Sequence, residues 1–476
     1  MQNTNTILPN PLHLPQDLAV PFFLTYVTDV GRSVESTRGF MEFVRPVLES
    51  ENPSSALFAA VNAVAVKVWT MIGHKHVSDS LPIHLLGQAL VRLRQATNDL
   101  EERARDATVL AALVLQMHDT LSAVSGQAKA HGMHRDGALA LLSQRDDSSH
   151  SSKYHAYLVG NLLHSRVSRS VRIGNALSSI ELAWLKTQVI PVLPINPSSL
   201  LDIIGVSIAS LQHDFCDPSV TLRAHPSRLQ ELRERIQRSD NQLQNWLESI
   251  APLWYPRRMQ SRKDIDPCIE TYHGACDIYP SIQIANIWNT WRTYRLILER
   301  TKSRLTKLLA LSCNGASSTE NEINPGDSTC EVKELVDAIC YSIPFYLGNC
   351  TRPGILLNME NPHNKFPSYH DLPPSDEAFL TYTTSDQYVS RFDHSCHVNL
   401  HAALIAIAAQ ITQVLAAAAV DHVALECGTY VAAAEIRKCL EHPLCASGVS
   451  ARPDRASLEK CGCWYGGDSG CRKRFL

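Results

Sequence analysis

The sequence predicts an all-α protein, because helical spacing recurs along it and strand-like alternation does not. Apolar residues repeat every three, four or seven positions in several long stretches, which is the spacing that lines one face of a helix. No run alternates apolar and polar residues over a useful length. Since 476 residues exceed what one hydrophobic core holds, we expect helices packed in two or three blocks.

The composition is that of an ordinary globular protein. Hydrophobic residues make up 45% of the chain and charged residues 19%, which argues against global disorder. The formal net charge of −3 implies no basic face, so nothing in it demands nucleic acid. The first cysteine is Cys216, and we interpret the cysteines as reduced thiols of an intracellular protein.

No signal peptide is expected at the N-terminus, whose first residues lack a basic region followed by an apolar run. Residues 402–420 carry no charge, but they are rich in alanine and include three polar side chains. A buried helix is therefore favoured over a membrane span, and we predict no membrane association.

A central helix is predicted at residues 280–305, with Pro280 in its first turn, where a missing N–H has no cost. One face collects Ile284, Ile287, Trp291, Tyr294, Leu298 and Leu305. Asn289, Arg292, Glu299 and Arg300 fall away from that face. This pattern predicts an amphipathic, half-buried helix with Trp291 in the core.

The remaining helices are placed by the same periodicity. They are expected at residues 54–72, 81–98, 106–124, 136–144, 154–170, 177–189, 200–211, 227–249, 332–341, 398–425 and 429–440. Ser54 or Ser55 is available to cap the first of them. In the second, Leu86, Leu90 and Leu93 share a face.

These helices and the breaks between them suggest a division of the chain. We predict a proline-containing N-terminal arm at residues 1–50, with an apolar run at 22–27 that docks onto the body, and helical blocks at 51–190, 198–312 and 332–445. A mobile loop is expected at 313–331, an irregular stretch at 349–386, and a tail rich in Gly, Ser and Cys at 446–476.

Two segments carry a resemblance to a known family. Around the central helix stand Tyr272-His273, Tyr279-Pro280, Ala285-Asn286, Trp288-Asn289 and Tyr294-Arg295, and earlier come His134, Gly137-Ala138 and Leu141-Leu142. In this order they resemble the helical regulatory region of fungal binuclear zinc-cluster transcription factors. Residues 106–115 are similar to the helix before the second segment, and residues 335–348 give a looser match.

The resemblance implies a nuclear transcription regulator that acts through its helical domain. Family members commonly govern metabolic or secondary-metabolite genes. Their six-cysteine zinc cluster matches no position before Cys216, so the family's DNA-binding residues transfer to no residue here. We therefore expect weak, non-specific DNA binding and predict protein partners, either a DNA-binding family member or a second copy of the chain.

Several residue groups could have a catalytic or metal-binding role, and each also has a simpler structural interpretation. Gly466–Gly470 is similar to the nucleophile segment of trypsin-like proteases, but no histidine and aspartate accompany it on a β fold. His397 and His401 have the i, i+4 spacing of metal ligands, near His394 and Cys396, without an identifiable third ligand. Capping or surface histidines are favoured.

The other groups are weaker. Cys439, Cys445, Cys461, Cys463 and Cys471 could bind zinc, but the chain has no Cys-x-x-Cys, so plain thiols are favoured. Asp146-Asp147 only begins an acidic diphosphate motif, and His131 and His134 suit packing or capping. The basic groups Arg257-Arg258, Arg262-Lys263 and residues 472–474 could serve a nuclear importer, with surface charge as the default.

The sequence thus supplies no convergent acid, base or nucleophile. We expect no catalytic residue, no cofactor-binding residue and no metal site, and we predict that the protein is not an enzyme. The alternative is an all-helical enzyme or small-molecule-binding protein with a pocket between its helical blocks.

Overall fold

The computed structural model describes ten parts of the chain: residues 15–29, 39–71, 80–124, 132–145, 152, 154–216, 226–260, 271–279, 282–313 and 325–347. These parts contain twelve α-helices and only one two-stranded sheet, so the predicted all-α class is confirmed.

The helices follow one another with short interruptions. They are α1 (Pro15–Phe23), α2 (Met41–Leu48), α3 (Ala56–Met71), α4 (Ser80–Asn98), α5 (Asp106–Val124), α6 (Met133–Ser143), α7 (His155–Ile173), α8 (Ser179–Trp184), α9 (Pro197–Cys216), α10 (Pro226–Ser249), α11 (Ile282–Cys313) and α12 (Pro325–Leu347). Antiparallel strands β1 (Arg257–Gln260) and β2 (Ala275–Ile278) lie between α10 and α11. The chain continues α1 and α8 as π-helical turns at Leu24–Asp29 and Leu185–Val189.

Helix α3 is the centre of the first group of helices, and α1, α4 and α5 pack against it. Its valines and all its alanines except Ala59 are almost fully buried, which is why helices can approach it from several sides. Ser55 caps it as predicted, since its Oγ accepts the backbone N–H of Phe58 at 3.2 Å. Helix α6 packs against α5.

Helices α1 and α2 lie within residues 1–50, the stretch predicted to form an arm. Phe23 and Val27 are buried, in agreement with the expected docking of the apolar run. The ring of Phe22 meets that of Trp69 on α3 edge to face, with 5.1 Å between centroids.

The buried residues of α4 only partly coincide with the face that Leu86, Leu90 and Leu93 share. Leu85, Ala89 and Leu93 are buried, whereas Leu90 is 41% exposed. Ala89 and Leu90 both have helical spacing, and contact with α3 decides which of them is buried.

Helix α11 is the centre of the second group, where it contacts α9, α10 and α12 while α7 packs on α9. All but one of the six predicted core residues are buried, and Trp291 is half buried. Leu296 forms an apolar cluster with Leu335 and Ile339 of α12. The prediction of one continuous central helix is confirmed over its described residues, which begin at Ile282.

Three predictions about α11 and α12 are wrong. Asn289, Arg292 and Glu299 are buried, so α11 is not a half-buried amphipathic helix. It also continues past the predicted end to Cys313, and α12 begins at Pro325, inside the predicted loop. Helix α12 then passes through Pro344, where tertiary contacts outweigh the loss of one backbone hydrogen bond.

The two strands are a further departure from the sequence prediction. Each has only four residues, too few for alternation to stand out, and β2 is buried along its whole length. A fully buried strand shows no alternating pattern, so periodicity does not reveal it.

Every described residue belongs to one compact unit. The boundaries proposed between helical blocks stay predictions, and the helices predicted at 398–425 and 429–440 lie outside the described residues. Among the helices that the structure describes, none is both long and apolar enough to cross a membrane.

Candidate functional site

The Tyr272-His273-Gly274 segment forms a tight turn before β2. His273 and Gly274 both have positive φ, at 48° and 73°, and the N–H of Ala275 donates to the carbonyl of Tyr272 at 3.0 Å. Two positive φ angles in succession are typical of a type I′ turn, where glycine at the second position avoids strain. The turn is the structural reason for the Tyr-His-Gly sequence.

Tyr272 ties this turn to α12. Its hydroxyl donates to Asp337 Oδ1 at 2.9 Å, and its ring meets Tyr341 edge to face at 5.1 Å. Burial, followed by the bond to Asp337, raises the pKa of Tyr272 well above its ordinary value. The phenol therefore stays protonated as a hydrogen-bond donor.

A buried polar network joins the sheet to α11 and α12. The Arg292 guanidinium donates to the Tyr279 hydroxyl and to Asn289 Oδ1, both at 2.7 Å, and lies 3.8 Å from Asp277 on β2. Asn289 in turn donates to Ser342 Oγ at 2.9 Å. Arg292 is 4% exposed, so these partners replace the water that its charge would otherwise bind.

Arg258 and the ring of Tyr341 complete this network. Arg258 on β1 donates to both oxygens of Asp277, and its guanidinium lies 3.5 Å above the ring of Tyr341. Burial raises the pKa of Tyr279 to about 12, although Arg292 acts in the opposite direction. Arg258, considered in sequence as surface charge or a nuclear-import signal, is thus a structural partner of Asp277.

An aromatic cluster anchors α11 on α10. Trp246 meets Trp288 edge to face at 5.7 Å and stacks on Trp291 at 6.3 Å. Each indole N–H donates to a backbone carbonyl: Trp246 to Pro197 at 2.7 Å, Trp288 to Trp254 at 2.6 Å, and Trp291 to Leu243 at 3.0 Å. Buried indoles with satisfied N–H groups fix the helix in one position.

An ion-pair cluster continues along the same helix. Arg295 pairs with Asp240 on α10 and Glu331 on α12. Lys302 reaches Asp240 at 3.1 Å and Glu299 at 2.6 Å. Acidic side chains from three helices therefore converge on basic side chains of α11, which explains why Glu299 is buried.

A serine, histidine and aspartate lie together between α7 and α9, and sequence reasoning missed them. His164 Nδ1 is 2.8 Å from Asp202 Oδ1, and Ser168 Oγ is 3.5 Å from His164 Nε2. The serine contact is longer than the 2.6–3.2 Å of an activated nucleophile. Because His164 and Ser168 share helix α7, the trio is best explained as a polar bridge from α7 to buried Asp202.

A cleft lies beside this bridge, at the break between the predicted blocks 51–190 and 198–312. Its lining residues include Tyr157, Asn161, Leu193, Asn196 and Asp202. Its empty volume is about 270 Å³, including open solvent. That is below the 300–1,000 Å³ of typical ligand pockets.

Another buried group of bases joins α3, α5 and α6. Burial, then the charges of Lys67 and His134, lowers the pKa of His118 to about 4. Burial also lowers the pKa of Lys67. His134, for which the sequence suggested packing or capping, lies 3.8 Å from Asp119 on α5.

The other residues weighed in sequence lie outside the described parts of the chain. They are His131, Asp146, Asp147, Arg262, Lys263, His394, Cys396, His397, His401, Cys439, Cys445, Cys461, Cys463, Cys471 and residues 466–470 and 472–474. Within the described ranges, no three His, Cys, Asp or Glu side chains are grouped so as to hold a metal ion.

The polar residues of the two family-like segments are thus largely structural, and they define a helical domain held by buried charges and aromatic rings. Residues 22–312 match the sequence model of the fungal specific transcription factor domain. The match covers more than half of the chain, and the chain belongs to that family. Comparison with curated proteins and with solved structures gives no match.

Membership of this family supports the interpretation of the protein as a fungal transcription regulator. It also suggests that the protein is nuclear and is not an enzyme. The resemblance seen in the sequence is confirmed for the regulatory domain. The looser match at residues 335–348 lies beyond the matched range, although α12, which contains most of it, packs directly on α11.

Proposed function

We propose that this protein is a nuclear regulator of a metabolic or secondary-metabolite gene set, acting through protein partners. The observation that carries the proposal is the family match over residues 22–312, which includes both segments singled out in the sequence. The buried network of Tyr279, Asn289 and Arg292 also supports the proposal, because these polar side chains hold the helices together and are not gathered around a reaction site.

Protein partners fit the charge and the surface better than direct reading of DNA. The net charge of −3 provides no general attraction to phosphates. One face of α4 exposes Ile83, Leu90 and Val91, which are 73%, 41% and 59% accessible, beside Gly87. Aliphatic side chains around a glycine allow a second helix to approach closely, as in a second copy or a related regulator.

The alternative is a small-molecule-binding or enzymatic protein with its site between helical blocks. The cleft beside Asp202 lies between two of the predicted helical blocks, but its volume of about 270 Å³, open solvent included, is below that of typical ligand pockets. The bridge from Ser168 to Asp202 has the longer serine contact described above. Neither observation favours the alternative over regulation.

The experiment compares a gene deletion with the wild type. We expect a defined gene set to change expression, the tagged protein to enrich in nuclei, and its chromatin occupancy to depend on a co-purifying protein. Replacing Ile83 and Val91 by aspartate should weaken that association, whereas Ile195→Asp, which places the same charge at an exposed isoleucine outside α4, should not.

A different pattern would overturn the proposal. A cytosolic protein whose deletion leaves transcripts unchanged, and whose loss blocks a metabolic conversion that purified protein restores, would establish the alternative.

A further inference from the structure

Two arginines from different helices converge at the start of α6. A Cβ placed on Gly132 would lie 2.5 Å from Nη2 of Arg135, on α6, and 3.5 Å from Nη1 of Arg169, on α7. Arg166 and Arg172, also on α7, are close enough to lower the pKa of Arg135, after the larger effect of burial. Four guanidinium groups therefore share one small region.

Two acidic side chains of the described residues lie among these arginines. Asp136 lies 3.8 Å from Arg135 Nε and 3.1 Å from Arg166 Nη2, and Glu181 lies 3.7 Å from Arg166. Arg135 Nε is buried without a hydrogen-bond partner, and Arg169 has no ion pair with any described residue. Residues 125–131, just before this region in sequence, contain a lysine and a histidine but no acid.

Large apolar side chains are exposed on the same three elements. Met133 opens α6 and is 71% accessible, Ile173 closes α7 at 51%, and Ile180 on α8 is 80% accessible. Single exposed apolar residues are ordinary, but these lie on helices that Arg166 joins through Asp136 and Glu181. Exposed apolar side chains and arginines therefore lie on the same three connected helices.

We propose that this arginine surface, formed by Met133, Arg135, Arg166, Arg169 and Ile180, binds an acidic segment of a partner protein that also carries apolar side chains. Guanidinium groups bind carboxylates through paired hydrogen bonds, and Arg169 is exposed and available for this. The proposal rests on the protein-partner part of the proposed function and adds a second surface, on other helices than α4, with the chemistry that fits it.

Nucleic acid fits this surface less well. Asp136 and Glu181 would repel phosphates on both sides of Arg166, and the exposed methionine and isoleucines have no counterpart on a phosphate backbone. An acidic peptide with leucines offers both kinds of contact, since its carboxylates reach the arginines while its side chains cover the apolar residues.

The test measures fluorescence anisotropy of a labelled synthetic peptide of Asp, Glu and Leu added to the purified full chain. A matched peptide carries Asn and Gln in place of the acids. We expect the acidic peptide to bind and the amide peptide to bind at least about tenfold more weakly, since one charge-assisted contact supplies about that factor. Rising salt should weaken the complex.

Two exposed substitutions locate the site. Arg169→Gln should weaken binding about tenfold, and Ile180→Asn should weaken it several-fold, with unchanged urea midpoints because both side chains are exposed. Arg233→Gln on α10 is the matched control, since it removes the same charge from an exposed position elsewhere and should have no effect.

Each other outcome would overturn the proposal. Equal losses from Arg169→Gln and Arg233→Gln would indicate general charge attraction only, as would equal binding of the amide peptide. A DNA duplex that displaces the peptide and depends on Arg169 would make this a nucleic-acid surface. Absence of peptide binding removes the surface but leaves the transcriptional role to its own deletion experiment.

Discussion

Gly205 on α9 lies where three helices meet, and replacing it with alanine tests that packing directly. A Cβ at this position would lie 2.5 Å from Cγ1 of Val167 on α7, 2.8 Å from Cζ of Tyr294 on α11, and closer still to the Tyr294 hydroxyl. Real Cβ atoms almost never approach so closely. Both neighbours are buried, so neither can move into solvent.

Two opposing effects set the magnitude for Gly205→Ala. Alanine gains about 1 kcal/mol over glycine within a helix. Forcing an extra methyl group into a packed core costs about 1–3 kcal/mol. Because the methyl group meets two helices at once, we expect the upper part of that range and a net loss of about 1–2 kcal/mol in the free energy of unfolding.

Gly87→Ala is the matched control. Gly87 lies on an exposed part of α4, and a Cβ there meets no atom within 4 Å. Only the propensity gain applies, so this variant should be stabilised by about 0.5–1 kcal/mol. Urea titrations followed by tryptophan fluorescence and circular dichroism report both changes as shifts of midpoint at constant slope.

A double-mutant cycle completes the test. Val167→Ala removes one of the atoms that the new methyl group would meet at less than 3 Å, so the double variant with Gly205→Ala should cost less than the sum of the single changes. The reasoning fails if Gly205→Ala is as stable as Gly87→Ala, or if the two changes at Gly205 and Val167 simply add.

Three more predictions concern buried side chains. In the folded state the pKa of His118 is about 4, against an ordinary 6.5, so the native state binds fewer protons than the unfolded state between these values. The free energy of unfolding should therefore fall by up to about 3 kcal/mol from pH 7 to pH 4. Urea titrations at each pH should show that His118→Gln flattens this dependence. Arg292→Met should cost about 3 kcal/mol by the same assay, near the low end for a broken buried pair because Asp277 keeps its other arginine, and an unchanged midpoint would contradict the network. Trp288→Ala should lower stability by about 3–5 kcal/mol, whereas an effect below 1 kcal/mol would mean that the aromatic cluster is not packed as described.

Several elements were predictable from sequence because their signals are local. The bounds of α5 agree at both ends with the predicted 106–124, since apolar residues recur at helical spacing from just after Asp106 as far as Val124. Ser55 caps α3 because a serine just before an apolar run can satisfy an N–H within the same turn. Both signals depend only on residues within one or two helical turns.

The hairpin and the ends of α11 and α12 needed the tertiary structure. Strand β2 is buried on both faces and therefore lacks alternation. Pro344 indicates a helix end by local rules, but the ring of Phe345 packs at 5.3 Å from Tyr279 and Ser342 bonds to Asn289, which stabilises the continued helix. Nothing near Pro344 in sequence reveals these partners.

The sequence by itself determined the helical class and the family-like segments, because both are read from spacing along the chain. Only the tertiary structure decided which polar residues of α11 are buried. From its sequence alone, Arg292 is a charged residue expected at the surface. In the fold it is buried against Asp277 and Tyr279, which come from the hairpin before α11. A charge is buried at acceptable cost only when its partners are in place, and the partners here come from other elements of the fold.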